Sequence, residues 1–177
     1  MLEIISQTIE YYFKYLREPS PSDLKIQNES LLGIPGCTFV TLYKNGEIRG
    51  AGGNVKEIEK NIVDETIKNT ITALTLDKRF SPITMEEAKD IKIRVDLIKE
   101  RHILEEGKML ELDPVKFGII CIKRDYEKLA VILPNIAAKL LTGSDFIPMI
   151  KEKLEEKEFN EKDYIIYQIT TQTMTNF

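Results

Sequence analysis

The chain has 177 residues, 42% of them hydrophobic, which excludes a disordered tail and suffices for one compact domain with its own core. A net charge of -4 argues against a dedicated nucleic-acid binder, which carries a basic stripe. No apolar run approaches the roughly 20 residues that span a bilayer, so no membrane segment is expected.

Charged residues make up 31% of the chain, mostly Lys and Glu, beside many Ile and no Trp. That bias suits the surface ion-pair networks of a heat-adapted protein. Cys37 and Cys121 sit in apolar runs without Cys or His at metal-ligand spacing. They read as buried free thiols in a reducing compartment, so the expected location is cytoplasmic, with no metal and no evident cofactor.

Ile4, Ile5, Ile9, Tyr12, Phe13 and Leu16 recur every three to four residues and predict a helix over 4–16. Pro19 and Pro21 end it, and residues 17–36 read as a long, mobile loop closing on Pro35 and Gly36. Residues 37–43 are β-branched and aromatic, a buried strand. Asn45 and Gly46 supply the positive-φ pair of a tight hairpin, and 47–52 return as the partner strand.

Ile58, Ile62, Ile67, Ile71 and Leu74 predict a helix over 55–76, with Asn54 as its cap and Glu57 completing a capping-box-like pair. Thr84 and Glu87 form a second box before a short helix at 85–90. In 91–98, Ile91, Ile93, Val95 and Leu97 alternate on one side, the pattern of a half-buried strand. Residues 99–116 read as short strands around a turn at Gly107. Two buried strands follow at 117–123 and 128–133, then a helix at about 145–157 that tolerates Pro148 in its first turn, and a last strand at 164–174. Strands in hairpins with helices between them indicate an α+β fold, a mainly antiparallel sheet with flanking helices, arranged in one domain over 1–177.

Residues 38–53, TFVTLYKNGEIRGAGG, resemble the signature of the AMMECR family, a strand and turn followed by Leu-Arg-Gly-Cys-Ile-Gly. Leu76 to Pro82 is similar to the family's Asp-x-Arg-Phe-x-Pro segment. Phe117, Gly118 and Ile119, followed by Val131 to Pro134, are similar to its later strand and Leu-Leu-Pro hairpin. Residues 145–154 resemble the helix that follows. The matches run in the family's order across 33–177. The resemblance implies a two-lobed α+β fold, and association with Memo-type proteins and a radical-SAM enzyme. The motif's Cys is Ala51 here, its Ile is Gly52, and the His usual before the later Gly is Phe117.

Arg49, Gly50, Ala51, Gly52, Gly53 and Asn54 come just before the expected helix. Glycines let backbone approach a ligand, a helix N-terminus favours an anion, and Arg49 can grip a carboxylate or phosphate. The alternative is a sharp strand-to-helix turn with Arg49 in an ion pair. Asp77 and Arg79 extend the candidate site if Arg79 lies beside Arg49. Otherwise Lys78 and Arg79 suit the helix C-terminus, with Phe80 as a core plug. His102, the single histidine, has charged neighbours and reads as solvated. Tyr11, Tyr12, Phe13 and Tyr15 read as a helix face on the core. The leading functional reading is an accessory module presenting a Gly/Arg-lined cleft to a small anionic ligand or a partner protein. An enzyme using the same cleft and a plain protein-interaction domain are the alternatives.

Overall fold

A computed structural model describes residues 1–177. Six strands form a sheet in the order β2-β1-β3-β6-β4-β5: β1 (Thr38–Lys44), β2 (Glu47–Gly53), β3 (Lys92–Ile103), β4 (Gly118–Lys123), β5 (Leu129–Ile132) and β6 (Tyr164–Thr175). The α-helices are α1 (Leu2–Tyr15), α2 (Ile62–Thr75), α3 (Met85–Ala88) and α4 (Phe146–Leu154). β1 pairs antiparallel with β2 and β3, and β4 with β5 and β6. The chain divides into two compact units, Met1–Leu97 with Thr173–Phe177, and Ile98–Gln172.

In the first unit, α2 packs on one face of β1 and β2, and α1 packs on α2. Ile5, Ile9, Val40, Leu42, Ile71, Leu74, Ile93 and Val95 form its main core, and Ile4, Leu24, Val63 and Ile67 a smaller one. The hairpin turn is as expected: Asn45 and Gly46 hold φ of 55° and 83°, the pair that matches the strands' right-handed twist. Leu16, expected on the buried face of α1, is instead its exposed left-handed C-cap. Residues 17–36 carry two short 3-10 turns, Pro21–Asp23 and Glu29–Gly33. Gln7 ties this segment to α1 by donating to Lys25 O and accepting from Lys25 N.

The second unit packs α4 against β5 around Phe146, Ile150, Ile119, Ile132 and Ile166. Pro148 stands in the first turn of α4, where no helical partner is lost. The short strands expected in 99–116 are absent. β3 runs on to Ile103, and Gly107, at φ 83°, leads into a 3-10 turn that buries Met109.

The first turn of α2 corrects the expected helix boundary. It begins at Ile62, capped by the Asn61 side chain accepting from Val63 N and Asp64 N. Asn54 caps nothing, and Glu57 and Ile58 are exposed. The reason lies one turn into the helix. Buried Glu65 accepts from Ile58 N, Glu59 N, Asn54 Nδ2 and Asn69 Nδ2, which holds 54–61 in an irregular path. A buried carboxylate requires such donors, and backbone amides outside the helix supply two of them.

The contact of α2 on β2 depends on glycine. A side chain at Gly50 would strike Ala73 O, and one at Gly52 would strike Asn69 O and come within 2.8 Å of Thr72 Cβ. Gly52→Ala should therefore cost about 2–3 kcal/mol by overpacking. Gly33→Ala, where an added methyl meets nothing within 4 Å, should stay within about 0.5 kcal/mol. Urea denaturation midpoints of the two variants check this contrast.

Candidate functional site

β2 pairs with β1 through Leu42 opposite Gly50 and Tyr43 opposite Ile48, so Arg49 is the extra residue of a β-bulge. Bulges re-aim side chains at sheet edges. Here the Arg49 guanidinium reaches the start of α3. Its Nε and Nη2 donate to both oxygens of Glu87, at 3.0 and 3.1 Å, and its Nη1 to Ser81 O at 2.9 Å. Glu87 also accepts from Lys44 Nζ and, through the capping box, from Thr84 N. With the Arg49 fork as the largest cause, the Glu87 carboxyl is held down to about 2. The capping box was legible in the sequence. That its Glu side chain also anchors Arg49 was not.

Asp77, just past the end of α2, accepts from the backbone N–H of Ala51 at 2.8 Å. Its two oxygens also take the Arg79 fork, from Nε at 3.0 Å and Nη2 at 2.7 Å. Burial would raise its pKa, but hydrogen bonds from Arg79 and Ala51 outweigh this and the carboxyl sits below its ordinary value. Arg79 and Arg49 both lie near the ring of Phe80, at 5.2 and 5.9 Å. The two arginines thus share Phe80 as a common neighbour. Phe80 is half-buried rather than a core plug, and Arg79 is paired with Asp77 rather than set along the axis of α2.

The structure overturns the glycines' expected role. The space beside Gly50 and Gly52 is filled by the backbone of α2, and that beside Gly53 by the ring of Phe39. The run brings a helix close, not a ligand, and the N-terminus of α2 is eight residues beyond Asn54 and already capped. Asn54 donates to Glu65 in the first turn of α2 but caps no backbone amide there.

A second polar cluster escaped the sequence reading. Register places Thr41, Tyr43, Arg94 and Asp96 on the sheet face opposite α2. Alternation suggests that face is solvated, yet Asp96 is 0% and Arg94 7% exposed. Arg94 donates to both Asp96 oxygens, from Nε at 2.7 Å and Nη2 at 2.8 Å, and Thr173 Oγ1 donates to Asp96 Oδ1 at 2.5 Å. Burial opposes the Arg94 charge, but Asp96 outweighs it and raises the pKa. The Tyr43 hydroxyl faces Arg94 and is kept protonated by burial. The available signal was opposite charges two residues apart on one strand face, the spacing at which they pair.

A family model named AMMECR1 matches residues 2–174. The chain belongs to the AMMECR1 family. A protein of Thermotoga maritima is 30% identical over 167 residues, covering 94% of this chain and 91% of that one. A protein of Clostridium acetobutylicum is 37% identical over 108 residues, which are 61% of this chain but 22% of that much longer one. The crystal structure of an uncharacterized Pyrococcus horikoshii protein shares the fold, with a TM-score of 0.82 at 21% identity, covering 97% of this chain and 87% of that one.

Elsewhere in this AMMECR1 chain, His102 is exposed and near Glu100 alone, at 3.9 Å. Cys37 and Cys121 are buried, and burial pushes the Cys121 thiol up to about 12, which leaves it protonated and inert. Glu111 pairs with Lys108, and Glu156 with Lys123 and Lys128. Tyr12 and Phe13 pack on the main core, while Tyr15 is exposed and lies 4.5 Å from the Tyr11 ring. No helix is long and apolar enough to cross a membrane.

Two outcomes follow from these geometries. Asp96→Ala removes the carboxylate opposite a buried guanidinium and should cost about 3–5 kcal/mol, whereas the double variant Arg94→Met/Asp96→Leu should regain most of it. Equilibrium unfolding of the three proteins decides the point. Glu87, with its folded value below the ordinary 4.5, stabilises fully above that pH and loses its contribution as pH falls toward about 2. Melting temperatures measured from pH 7 to pH 2 should therefore fall further for the parent than for Glu87→Gln.

Proposed function

We propose that this AMMECR1-family chain is a binding module that takes a carboxylate- or phosphate-bearing group at Arg79 and Phe80. One observation carries the reading: Arg49 and Arg79, from β2 and from the loop after α2, converge on one aromatic ring. Arg49 sets the floor, since Glu87 and Ser81 O engage all three of its nitrogens. Arg79 is the gripping group. Its side chain is 52% exposed over an Asp77 that is 9% exposed. Asp77 retains the Ala51 amide, so its charge stays compensated when Arg79 turns to an incoming anion. Guanidinium suits this exchange because its planar fork matches carboxylate and phosphate alike.

In this reading the glycines act indirectly. By letting α2 close on β2 they bring Asp77 to the Ala51 amide and so position Arg79. The long Clostridium relative supports a module that works beside other domains. We place the protein in the cytoplasm, where Cys37 and Cys121 stay reduced, in a setting with a Memo-type protein and a radical-SAM enzyme.

A thermal-shift series with phosphate, citrate and nucleotides on the parent and on Arg79→Ala tests the reading. A ligand at a hundred times its dissociation constant should stabilise the parent by about 2.7 kcal/mol and leave an equally folded Arg79→Ala unmoved. Equal shifts in both proteins, or none in either, would refute it.

A further inference from the structure

Arg79 already holds a carboxylate. Its Nε and Nη2 donate to the two oxygens of Asp77, and its backbone N–H donates to Asp77 Oδ1 at 3.1 Å. Ala51 N supplies a fourth donor, to Oδ2 at 2.8 Å. An anion arriving at the exposed fork of Arg79 therefore meets it occupied. When the fork turns away, each Asp77 oxygen keeps one backbone donor, Arg79 N on Oδ1 and Ala51 N on Oδ2. The exchange thus leaves no carboxylate oxygen without a hydrogen bond, the condition that would make it costly.

The resident carboxylate restricts what can replace it. A free monocarboxylate offers the fork only what Asp77 offers, and Asp77 has the advantage of being tethered two positions away. A polycarboxylate needs a second cation for its second group. The neighbouring guanidinium is engaged, since Glu87 and Ser81 O take all three Arg49 nitrogens. Each cation at the ring has its carboxylate, Lys44 and Arg49 on Glu87 and Arg79 on Asp77. Selection therefore rests on the exchange at Arg79 and not on surplus charge. The group that displaces Asp77 must carry more charge on one centre while keeping a pair of oxygens for the fork. A phosphate with one ester bond or none does both, being close to a dianion at neutral pH.

We infer that Asp77 is a built-in competitor for the Arg79 fork and restricts the site to dianionic phosphate, free or as a monoester, against carboxylates and phosphate diesters. The inference rests on the anion reading above and narrows it. Asp77 thereby sets both the affinity and the selectivity of the site, because only the fraction of chains with the fork released can bind.

The test is an NMR titration of the full chain, followed at the Arg79 side-chain resonance, with acetate, dimethyl phosphate, methyl phosphate and inorganic phosphate. The last two should bind about tenfold or more tighter than the first two, since Coulomb attraction scales with the ligand's charge. The tighter of the two tells the ester from the free ion, and either fits the inference. Lowering the pH from about 7 to about 5 should weaken methyl phosphate, which takes up a proton near pH 6, and leave the permanent dianion sulfate unchanged. The carboxylates at the ring stay ionised across that window. Burial would raise Asp77, but the bonds from Arg79 and Ala51 keep it below its ordinary 3.8, and Glu87 is held at about 2. Asp77→Asn keeps an oxygen for Ala51 N and should bind acetate about fivefold tighter, the gain from removing a part-exposed ion pair that competes. Weaker binding by an equally folded Asp77→Asn would overturn the inference, because Asp77 would then position Arg79 instead of competing for it. Acetate matching methyl phosphate on the parent would also overturn it and leave the anion reading intact. Binding of none of these ions by either protein would sink both.

Discussion

The first unit is organised by how closely α2 approaches β2. Helices ordinarily stand off a sheet by the thickness of the side chains between them. Gly50 and Gly52 remove that layer, so the carbonyls of Asn69 and Ala73 occupy the space where side chains would lie. Two consequences follow at opposite ends of the helix. At its start, Glu65 reaches Asn54 and the amides of 58 and 59 and fixes the chain between strand and helix. At its end, Asp77 reaches the edge amide of Ala51 and turns the following residues back over β2. An edge strand presents unpaired N–H groups, and a carboxylate bonded to one of them both caps the edge and anchors a loop.

Electrostatics then decides what that loop displays. Glu87 collects Arg49, Lys44 and its own capping contacts, and Asp77 collects Arg79 and a backbone amide. Each carboxylate holds an arginine in a defined direction, and the β-bulge at Arg49 turns the two toward one ring. The Arg94–Asp96 pair is a different case. It lies on the other sheet face, removed from water, where an ion pair is a costly substitute for apolar packing. With Tyr43 and Thr173 it joins β1, β3 and the end of β6 by directional bonds.

Ala51 stands where the family motif carries Cys. In this chain the position contributes through its backbone N–H, which any non-proline residue supplies. The neighbouring glycines carry the packing. A glycine run that reads as a candidate anion pocket is here a requirement of helix–sheet contact, and that contact positions the loop carrying Asp77 and Arg79.

Periodicity and turn chemistry were sufficient for α1, the β1–β2 hairpin, the Thr84–Glu87 box, β4, β5, α4 and β6, because each depends on spacings of one to four residues. The same reasoning placed the start of α2 too early and saw strands after Ile103, where long-range bonds to Glu65 and the extension of β3 prevailed. It selected Arg49, Asp77 and Arg79 individually, since residue type and local motif mark them. Their common approach to the Phe80 ring depends on a bulge that consumes one residue of register and on two hydrogen bonds spanning 26 and 38 positions. It missed Arg94 and Asp96 because alternation reports which residues share a face, while only the folded chain determines whether that face meets water. The sequence by itself therefore determined the α+β class, the family and the identity of the charged groups. The tertiary structure alone decided which of those charges pair, since pairing depends on distances that the backbone sets only after it has closed.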